Sequence, residues 1–191
     1  MIDLSRRKFF ITVGLSSMSL TGLTGILMAS ELPDLNALTL EQSLESALRK
    51  IGTTRCVAAA DTLAQPHSVP SPISIHLRSA GIDEAGAARI ARALTSLSEA
   101  ERSRLHSFSL SYNGIGDIGA LAMAASLPET LGELGLVGCS IGDDGGEAIL
   151  NWAKNATGLR MICIEGNAMS QEMRERFTGL RKTSPNMAVY V

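Results

Sequence analysis

The chain has 191 residues, of which 45% are hydrophobic but only 4% aromatic, and its formal net charge is −2. This length fits one domain with an additional segment, and any core must be aliphatic and rich in alanine. The basic stripe of a nucleic-acid-binding protein is absent. The three cysteines show no C-x-x-C spacing, which argues against a disulfide framework and a zinc site. We therefore expect no nucleic-acid partner, no metal and no cofactor.

Residues 1–30 are predicted to direct export. The segment Ser5–Ile11 (SRRKFFI) carries paired arginines before a bulky apolar pair, and no charged residue occurs from Ile11 to Ala29. This arrangement resembles the bacterial twin-arginine signal, which implies transport of a folded protein to the periplasm or the cell exterior. Glycine, serine and threonine dilute the apolar run, which favours a signal over a stable membrane-spanning helix. The alternative is an uncleaved membrane anchor formed by residues 11–28.

Residues 31–71 are predicted to form a linker and an N-terminal cap. Thr39 and Gln42 have the spacing of a capping box, and Gly52 is a natural helix stop. The apolar face of this helix carries Leu40, Leu44, Leu48 and Ile51. We interpret it as a helix that shields the open edge of a repeat array. A degenerate additional repeat that starts at Leu35 or Leu38 is the alternative.

The segment between this helix and residue 72 is harder to interpret. Cys56–Leu63 is apolar but too short to assign to a helix or a strand. Gln65–Pro72 contains three prolines, which predict an irregular connection.

Four units with the same pattern follow from residue 72 onwards. Each unit has a reference position, and these positions are spaced 33, 26 and 28 residues apart, at Ala80, Asn113, Cys139 and Asn167. Apolar residues recur eight, five and three positions before the reference, as in Leu105, Phe108 and Leu110 (Pro72 takes the first of these places in the first unit). After the reference position the apolar spacing becomes helical. Each unit is therefore a strand, a turn and a helix, which must stack on copies of itself to bury its apolar face.

The motif L-x-x-L-x-L-x-x-N/C with a repeat near 28 residues resembles the leucine-rich repeat family, in its ribonuclease-inhibitor-like subtype. The resemblance covers residues 72–191. It implies an α/β fold, a short right-handed solenoid of about four repeats, with parallel strands on the concave face and helices on the convex face. We expect the N-terminal capping helix before the repeats, a helix break at residues 184–186, and a closing strand from Met187 to Val191.

Acidic residues lie just before the helical part of each unit. Asp83, Asp117 and either Asp143 or Asp144 are predicted to be N-caps or first-turn acids, and Ser170 takes this place in the last unit.

The concave sheet is the predicted site of function. Extended concave surfaces of repeat proteins hold other proteins, so we predict a non-enzymatic protein–protein interaction module. Tyrosine and arginine are enriched in interface hot spots. The predicted partner-binding residues are His76, Arg78, Ser109, Ser111, Tyr112, Glu133 and Glu165. The alternatives are a membrane-tethered scaffold or accessory subunit of an envelope complex, and a secreted effector that binds a host protein.

Catalysis is not predicted. His76 and Cys163 occupy the same strand position in the first and fourth units. At about 4.8 Å per strand they lie about 14 Å apart, too far for a Cys–His dyad.

Cys139 takes the reference position and is predicted to be buried, whereas Cys163 is the exposed candidate for redox chemistry. Trp152 is predicted to pack between convex helices.

Overall fold

The computed structural model describes residues 38–65 and 72–191. The predicted export signal or membrane anchor, the linker up to residue 37, and His67 in the proline-rich connection all lie outside these residues. Five strands and seven helices occur in the described part. In chain order they are α1 (Leu40–Ile51), α2 (Thr54–Leu63), β1 (Ile73–His76), α3 (Glu84–Thr95), α4 (Glu99–Arg102), β2 (Leu105–Ser109), α5 (Gly116–Ala124), β3 (Glu133–Gly135), α6 (Asp143–Asn155), β4 (Met161–Cys163), α7 (Gln171–Thr183) and β5 (Ala188–Tyr190).

Helices α1 and α2 form the N-terminal cap. The capping box predicted for α1 is present: the Thr39 hydroxyl accepts from the Gln42 backbone at 3.2 Å, and the Gln42 side chain accepts from the Thr39 backbone at 3.0 Å. Gly52 ends α1 with φ 78°. The stretch left unassigned from sequence is the second helix, α2. No strand occurs between Leu38 and Gln65, so the alternative of a repeat starting at Leu38 is wrong.

The five strands form one parallel sheet in the order β1-β2-β3-β4-β5. Parallel neighbours require a crossover, and here helices supply it in each unit. The apolar strand positions point inward, where they are buried as Ile75, Leu77, Phe108, Leu110, Leu134, Leu136, Ile162 and Ile164. Pro72 departs from the pattern: it is exposed, because it precedes the first strand. The solenoid predicted from the repeat spacing is confirmed.

The asparagine at the reference position joins one unit to the unit before it. The Asn113 side-chain oxygen accepts from the backbone N–H groups of Ala80 (2.9 Å) and Ile82 (3.0 Å). Its amide nitrogen donates to the carbonyls of Leu77 and Leu110, both at 2.7 Å. Asn113 is 4% exposed, so all four bonds are buried. The side chain closes the turn of its own unit and the loop of its neighbour at once.

The same four hydrogen bonds recur in the last repeat, whereas the reference residue of the third repeat makes fewer bonds. Asn167 bonds the backbone of Leu136, Cys139, Ile141 and Ile164. At Cys139 a thiol replaces the amide, and its Sγ donates to the Leu110 carbonyl at 3.2 Å. Ala80 has no repeat before it to bond, which explains why a residue without a polar side chain is tolerated there.

The helices on the convex side are capped partly by their neighbours. Asp83 caps its own helix, accepting from Gly86 N–H at 2.8 Å. Asp117 lies in the first turn of α5 as predicted, but its carboxylate accepts from Gly142 (2.7 Å) and Gly145 (3.0 Å) at the start of α6. The N-cap residue of helix α6 is Gly142, which has no side chain to cap the helix. In the same way Asp143 accepts from the Ser170 N–H at 2.7 Å, so Asp117 and Asp143 each tie their unit to the next.

The longer spacing between the first two reference positions has a structural cause. The extra residues form the short helix α4, which begins after the N-cap Ser98. Arg104 follows α4 and forms ion pairs with Glu101 at its end and with Glu41 in α1. The Arg104 hydrogen bond holds the pKa of Glu41 below its ordinary value although burial opposes the shift. This cluster fastens the cap to the first repeat.

The C-terminal end of the sheet follows the prediction. Helix α7 ends before Ser184, and β5 pairs with β4. In the described residues, no helix has the length and apolarity needed to cross a membrane.

Candidate functional site: the concave face of the sheet

Strand register fixes which side chains meet on the concave face. One row across the sheet contains His76, Ser109, Gly135, Cys163 and Tyr190. The row beneath it contains Ser74, Ser107, Glu133 and Met161. Two strands lie between His76 and Cys163, as predicted, so these two residues are too far apart to form a Cys–His dyad.

His76, Ser107 and Glu133 form a hydrogen-bonded chain across three strands. His76 Nε2 lies 3.0 Å from Ser107 Oγ, and Ser107 Oγ donates to Glu133 Oε2 at 3.1 Å. Because the serine proton goes to the carboxylate, the histidine must donate to the serine. A nucleophilic serine needs the opposite arrangement, with histidine as the acceptor. Ser107 is also only 5% exposed. These hydrogen bonds therefore position His76 and Glu133 and do not activate Ser107 as a nucleophile.

Two of the serines differ from what the sequence predicts. Ser111 is a predicted partner-binding residue, but it is 5% exposed and its Oγ accepts from the Val137 backbone at 3.2 Å. Its neighbour Ser109 is half-buried and donates to Ser111 at 3.2 Å. Small side chains lie low on the sheet and bond the adjacent strand, so Ser111 supports the face without presenting a contact surface. The spacing of residues along a strand predicts which face of the sheet a side chain lies on, but not how far it projects from that face.

Tyr112 and Arg78 project from the end of the face. The Arg78 guanidinium carbon lies 3.9 Å from the centre of the Tyr112 ring, a cation–π contact between the first two units. On its other side the ring covers Gly138, where an added Cβ would come within 3.2 Å of the Tyr112 ring. Tyr112 is 47% exposed. Tyr112 thus lies between the turns that follow β1 and β3, beside Arg78 and Gly138.

The backbone of Tyr112 is strained. Its φ is 60°, in the left-handed region, and the equivalent residues of the next two units are Gly138 and Gly166 with φ of 60° and 66°. A side chain in this conformation costs about 1–2 kcal/mol. The chain therefore keeps an exposed tyrosine where the next two repeats use glycine, and Ser79 of the first repeat adopts the same conformation with φ 50°.

Charge is divided between the two sides of the face. His76 lies on β1 and Arg78 just after it, whereas Glu133 lies on β3 and Glu165 just after β4. Among the described residues, none of these four side chains takes part in an ion pair. The face presents an aromatic and cationic half and an anionic half, both available to a ligand.

Metal and redox chemistry gain no support here. The described ranges contain no group of three or more His, Cys, Asp or Glu side chains that would hold a metal ion. Burial, together with the carboxylates of Glu165 and Glu133, raises the pKa of the Cys163 thiol above its ordinary value. A raised pKa lowers the thiolate fraction, and the thiolate is the reactive form. Cys163 is therefore poorly suited to redox sensing.

The reactivity of Cys163 can be measured directly. We expect iodoacetamide to alkylate Cys163 at pH 8 more slowly than it alkylates free cysteine, and the double variant Glu133→Gln/Glu165→Gln to recover part of the difference. Recovery should be partial because burial, the larger cause of the raised pKa, remains. Mass spectrometry of each cysteine-containing peptide gives the rates, with buried Cys56 and Cys139 as unreactive internal references. A Cys163 rate above that of free cysteine would contradict this account.

The family match coincides with two of the repeat units. The leucine-rich repeat signature matches residues 105–124 and 129–150. The chain contains leucine-rich repeats. The matched segments are the second and third units, which carry Tyr112 and Glu133. No curated protein sequence matches the chain.

Leucine-rich repeats are generally a non-enzymatic interaction fold, and their stacked strands form extended binding surfaces. The structure brings Arg78 and Tyr112 together at one side of that surface. It places His76 on β1, Glu133 on β3 and Glu165 just after β4. Sequence reasoning missed the bonding role of Ser107, because the signal for it is the strand register and not the repeat itself. It also missed a groove beside β1, for which local sequence carries no signal.

Proposed function

We propose that this leucine-rich repeat protein binds a partner protein through its concave face, with Tyr112 and Arg78 as the principal anchors. The observation that carries the proposal is the strained and exposed Tyr112 stacked on Arg78. Strain retained at an exposed position is a pointer to function, since the fold itself would be served by glycine there. Tyrosine and arginine are also the residues enriched in interface hot spots.

The charges define the chemistry of the partner. A complementary surface presents a carboxylate or a carbonyl-rich turn to Arg78 and His76. It presents lysine or arginine to Glu133 and Glu165, whose strands are about 10 Å from β1 or more at the usual strand spacing. The sheet has only five short strands, so an interface of standard or small area is favoured over one that wraps a large partner.

We further propose that the repeats act outside the cytoplasm and belong to the ribonuclease-inhibitor-like subtype. Support for export comes from the paired arginines of Ser5–Ile11 and the uncharged run that follows. Support for the subtype comes from the full helices of 9–13 residues that α5, α6 and α7 contribute to the convex side. Mass spectrometry of the native N-terminus tests export: loss of roughly thirty residues indicates a cleaved signal. Retention indicates the membrane-tethered scaffold instead.

Site-specific photo-crosslinking tests the binding face. A photoreactive amino acid replaces Ser109 on the concave face or, as a matched control, exposed Asn151 on convex helix α6. We expect a discrete crosslinked partner from position 109 and not from position 151. Arg78→Glu should abolish the product, and Glu133→Lys should reduce it. Crosslinking from the convex position alone would overturn the proposal.

Tyr112→Gly separates binding from folding. It removes the aromatic anchor but also relieves the left-handed backbone, and the two effects on stability oppose each other. We expect the free energy of unfolding to change by less than about 1 kcal/mol, while capture of the crosslinked partner is lost. Urea unfolding and the Ser109 crosslink measure the two quantities. A variant that is clearly destabilised yet still captures the partner would show that Tyr112 is structural.

A further inference from the structure

A groove runs between the edge strand β1 and helix α2. Its volume is about 430 Å³. The helix wall consists of Arg55, Ala58, Ala59, Thr62 and Leu63, and the strand wall consists of residues 74–78. Helix α2 packs chiefly on α1 and stands off from β1, which leaves a gap beside the sheet edge.

The backbone of β1 offers hydrogen-bonding groups to this groove. Alternate residues of β1 bond β2: the N–H groups of Ile73 and Leu77 donate to Arg104 and Ser109 carbonyls, both at 2.8 Å. In a parallel ladder the intervening residues direct their N–H and C=O groups to the opposite side. Those residues are Ser74, His76 and Arg78, and the β1–β2 register directs the backbone groups of Ser74 and His76 away from β2.

The opposite edge of the sheet is less accessible. On β5 the outward carbonyl of Val189 accepts from Arg181 of helix α7, which packs against that strand. On β1 the comparable contact within the described residues is at the far end, where Arg55 Nη1 donates to the Arg78 carbonyl at 2.9 Å. Among these residues, an arginine thus covers one end of the β1 edge and does not reach Ser74 or His76.

The charge and polarity of the groove define an occupant. Its charged lining residues are Arg55 and Arg78, both cationic, and neither forms an ion pair among the described residues. The wall formed by Ala58, Ala59 and Leu63 is apolar. An extended strand would place alternate side chains against this wall and bring an acidic side chain to the arginines.

We infer that β1 accepts an extended segment of a partner protein as a sixth strand, with an aspartate or glutamate of that segment held by Arg55 and Arg78. Backbone bonds to Ser74 and His76 supply affinity, and the apolar wall and the arginines supply selectivity. This binding mode rests on the backbone of β1 at Ser74 and His76. It shares Arg78 with the proposed concave-face contact, so the two proposals are distinguished by Ser74→Pro, which leaves Arg78 and Tyr112 in place.

Peptide titration of the full-length chain tests the inference. The probes are capped ten-residue peptides that alternate valine and threonine, each with one aspartate placed at a successive position, and a control set with asparagine. We expect aspartate peptides to bind several-fold more tightly than their asparagine counterparts at one or two positions. Binding should slow hydrogen exchange of the Ser74 and His76 amides and should be lost with peptides N-methylated at alternate residues.

Two substitutions of one residue give the matched comparison. Ser74→Pro removes the outward N–H without touching the β1–β2 ladder, because proline is tolerated on edge strands. Ser74→Ala removes the same side chain but keeps the N–H. We expect Ser74→Pro to weaken binding at least about tenfold, consistent with a lost hydrogen bond and a blocked edge, and Ser74→Ala to change it little. The N-methylated peptides decide the matter should the proline variant fold poorly.

Three results would overturn the inference. One is no binding of any probe at millimolar concentration. Another is binding that Ser74→Pro leaves unchanged and that Tyr112→Ala abolishes, which assigns the peptides to the concave face. The third is a dimer in sedimentation that Ser74→Pro dissolves, which makes a second copy of the chain the occupant of the edge.

Discussion

Asn113→Ala is expected to lower the free energy of unfolding by about 4 kcal/mol. The substitution leaves the N–H groups of Ala80 and Ile82 and the carbonyl of Leu77 without this partner, whereas the Leu110 carbonyl keeps the Cys139 thiol. Each buried orphan costs about 1–3 kcal/mol before relaxation. These groups belong to two successive units, so the change loosens the junction between the first and second repeats as well as one turn. Urea unfolding followed by circular dichroism measures the loss.

Asn167→Ala is the matched control for this prediction. Asn167 makes the same four kinds of bond but is only partly buried, so water can replace some of them. We expect about half the effect of Asn113→Ala, as solvated groups carry a smaller desolvation penalty. Equal losses in the two variants would mean that burial does not set the size of the effect. A loss below about 1 kcal/mol for Asn113→Ala would mean that the asparagine bonds are not what holds the units together.

The repeat architecture could be predicted because each unit encodes it locally. The trio Leu105, Phe108 and Leu110 specifies an inward strand face, and Asn113 marks the point where the apolar period changes. The capping box at Thr39 is likewise local, since its two bonds join residues three positions apart. A pattern that repeats within a few residues can be recognised without knowing what packs against it.

Features that arise between units escaped prediction for the opposite reason. The Asp117 carboxylate caps the helix of the next unit, 25 residues further along the chain, and no sequence rule for N-caps looks that far. Ser111 is buried where its hydroxyl accepts from the backbone of Val137, 26 residues further along the chain. The strain at Tyr112 is visible only as a backbone angle. The candidate site is built from such cross-strand relations, so its residues were predicted more readily than their roles.

Gly145→Ala is expected to destabilise the fold by about 2 kcal/mol, although alanine is the better helix former by about 1 kcal/mol. An added Cβ at Gly145 would lie 2.6 Å from Asp117 Oδ1 and 2.9 Å from Ala120 Cβ. It would push α5 away from α6 and displace the carboxylate that caps α6. Overpacking of this kind costs about 1–3 kcal/mol, and a lost cap costs about 1 kcal/mol.

Gly179→Ala makes the same chemical change in helix α7, where no heavy atom lies within 4 Å of the added Cβ. Here only helix propensity acts, so we expect a stabilisation of up to about 1 kcal/mol. The two variants should therefore shift the urea midpoint in opposite directions. The double variant Asp117→Ala/Gly145→Ala should lose less than the sum of its parts, because both changes remove the same cap. If Gly145→Ala were stabilising, the glycine would not be what lets α5 and α6 approach, and close helix packing would have to be attributed to the alanines alone.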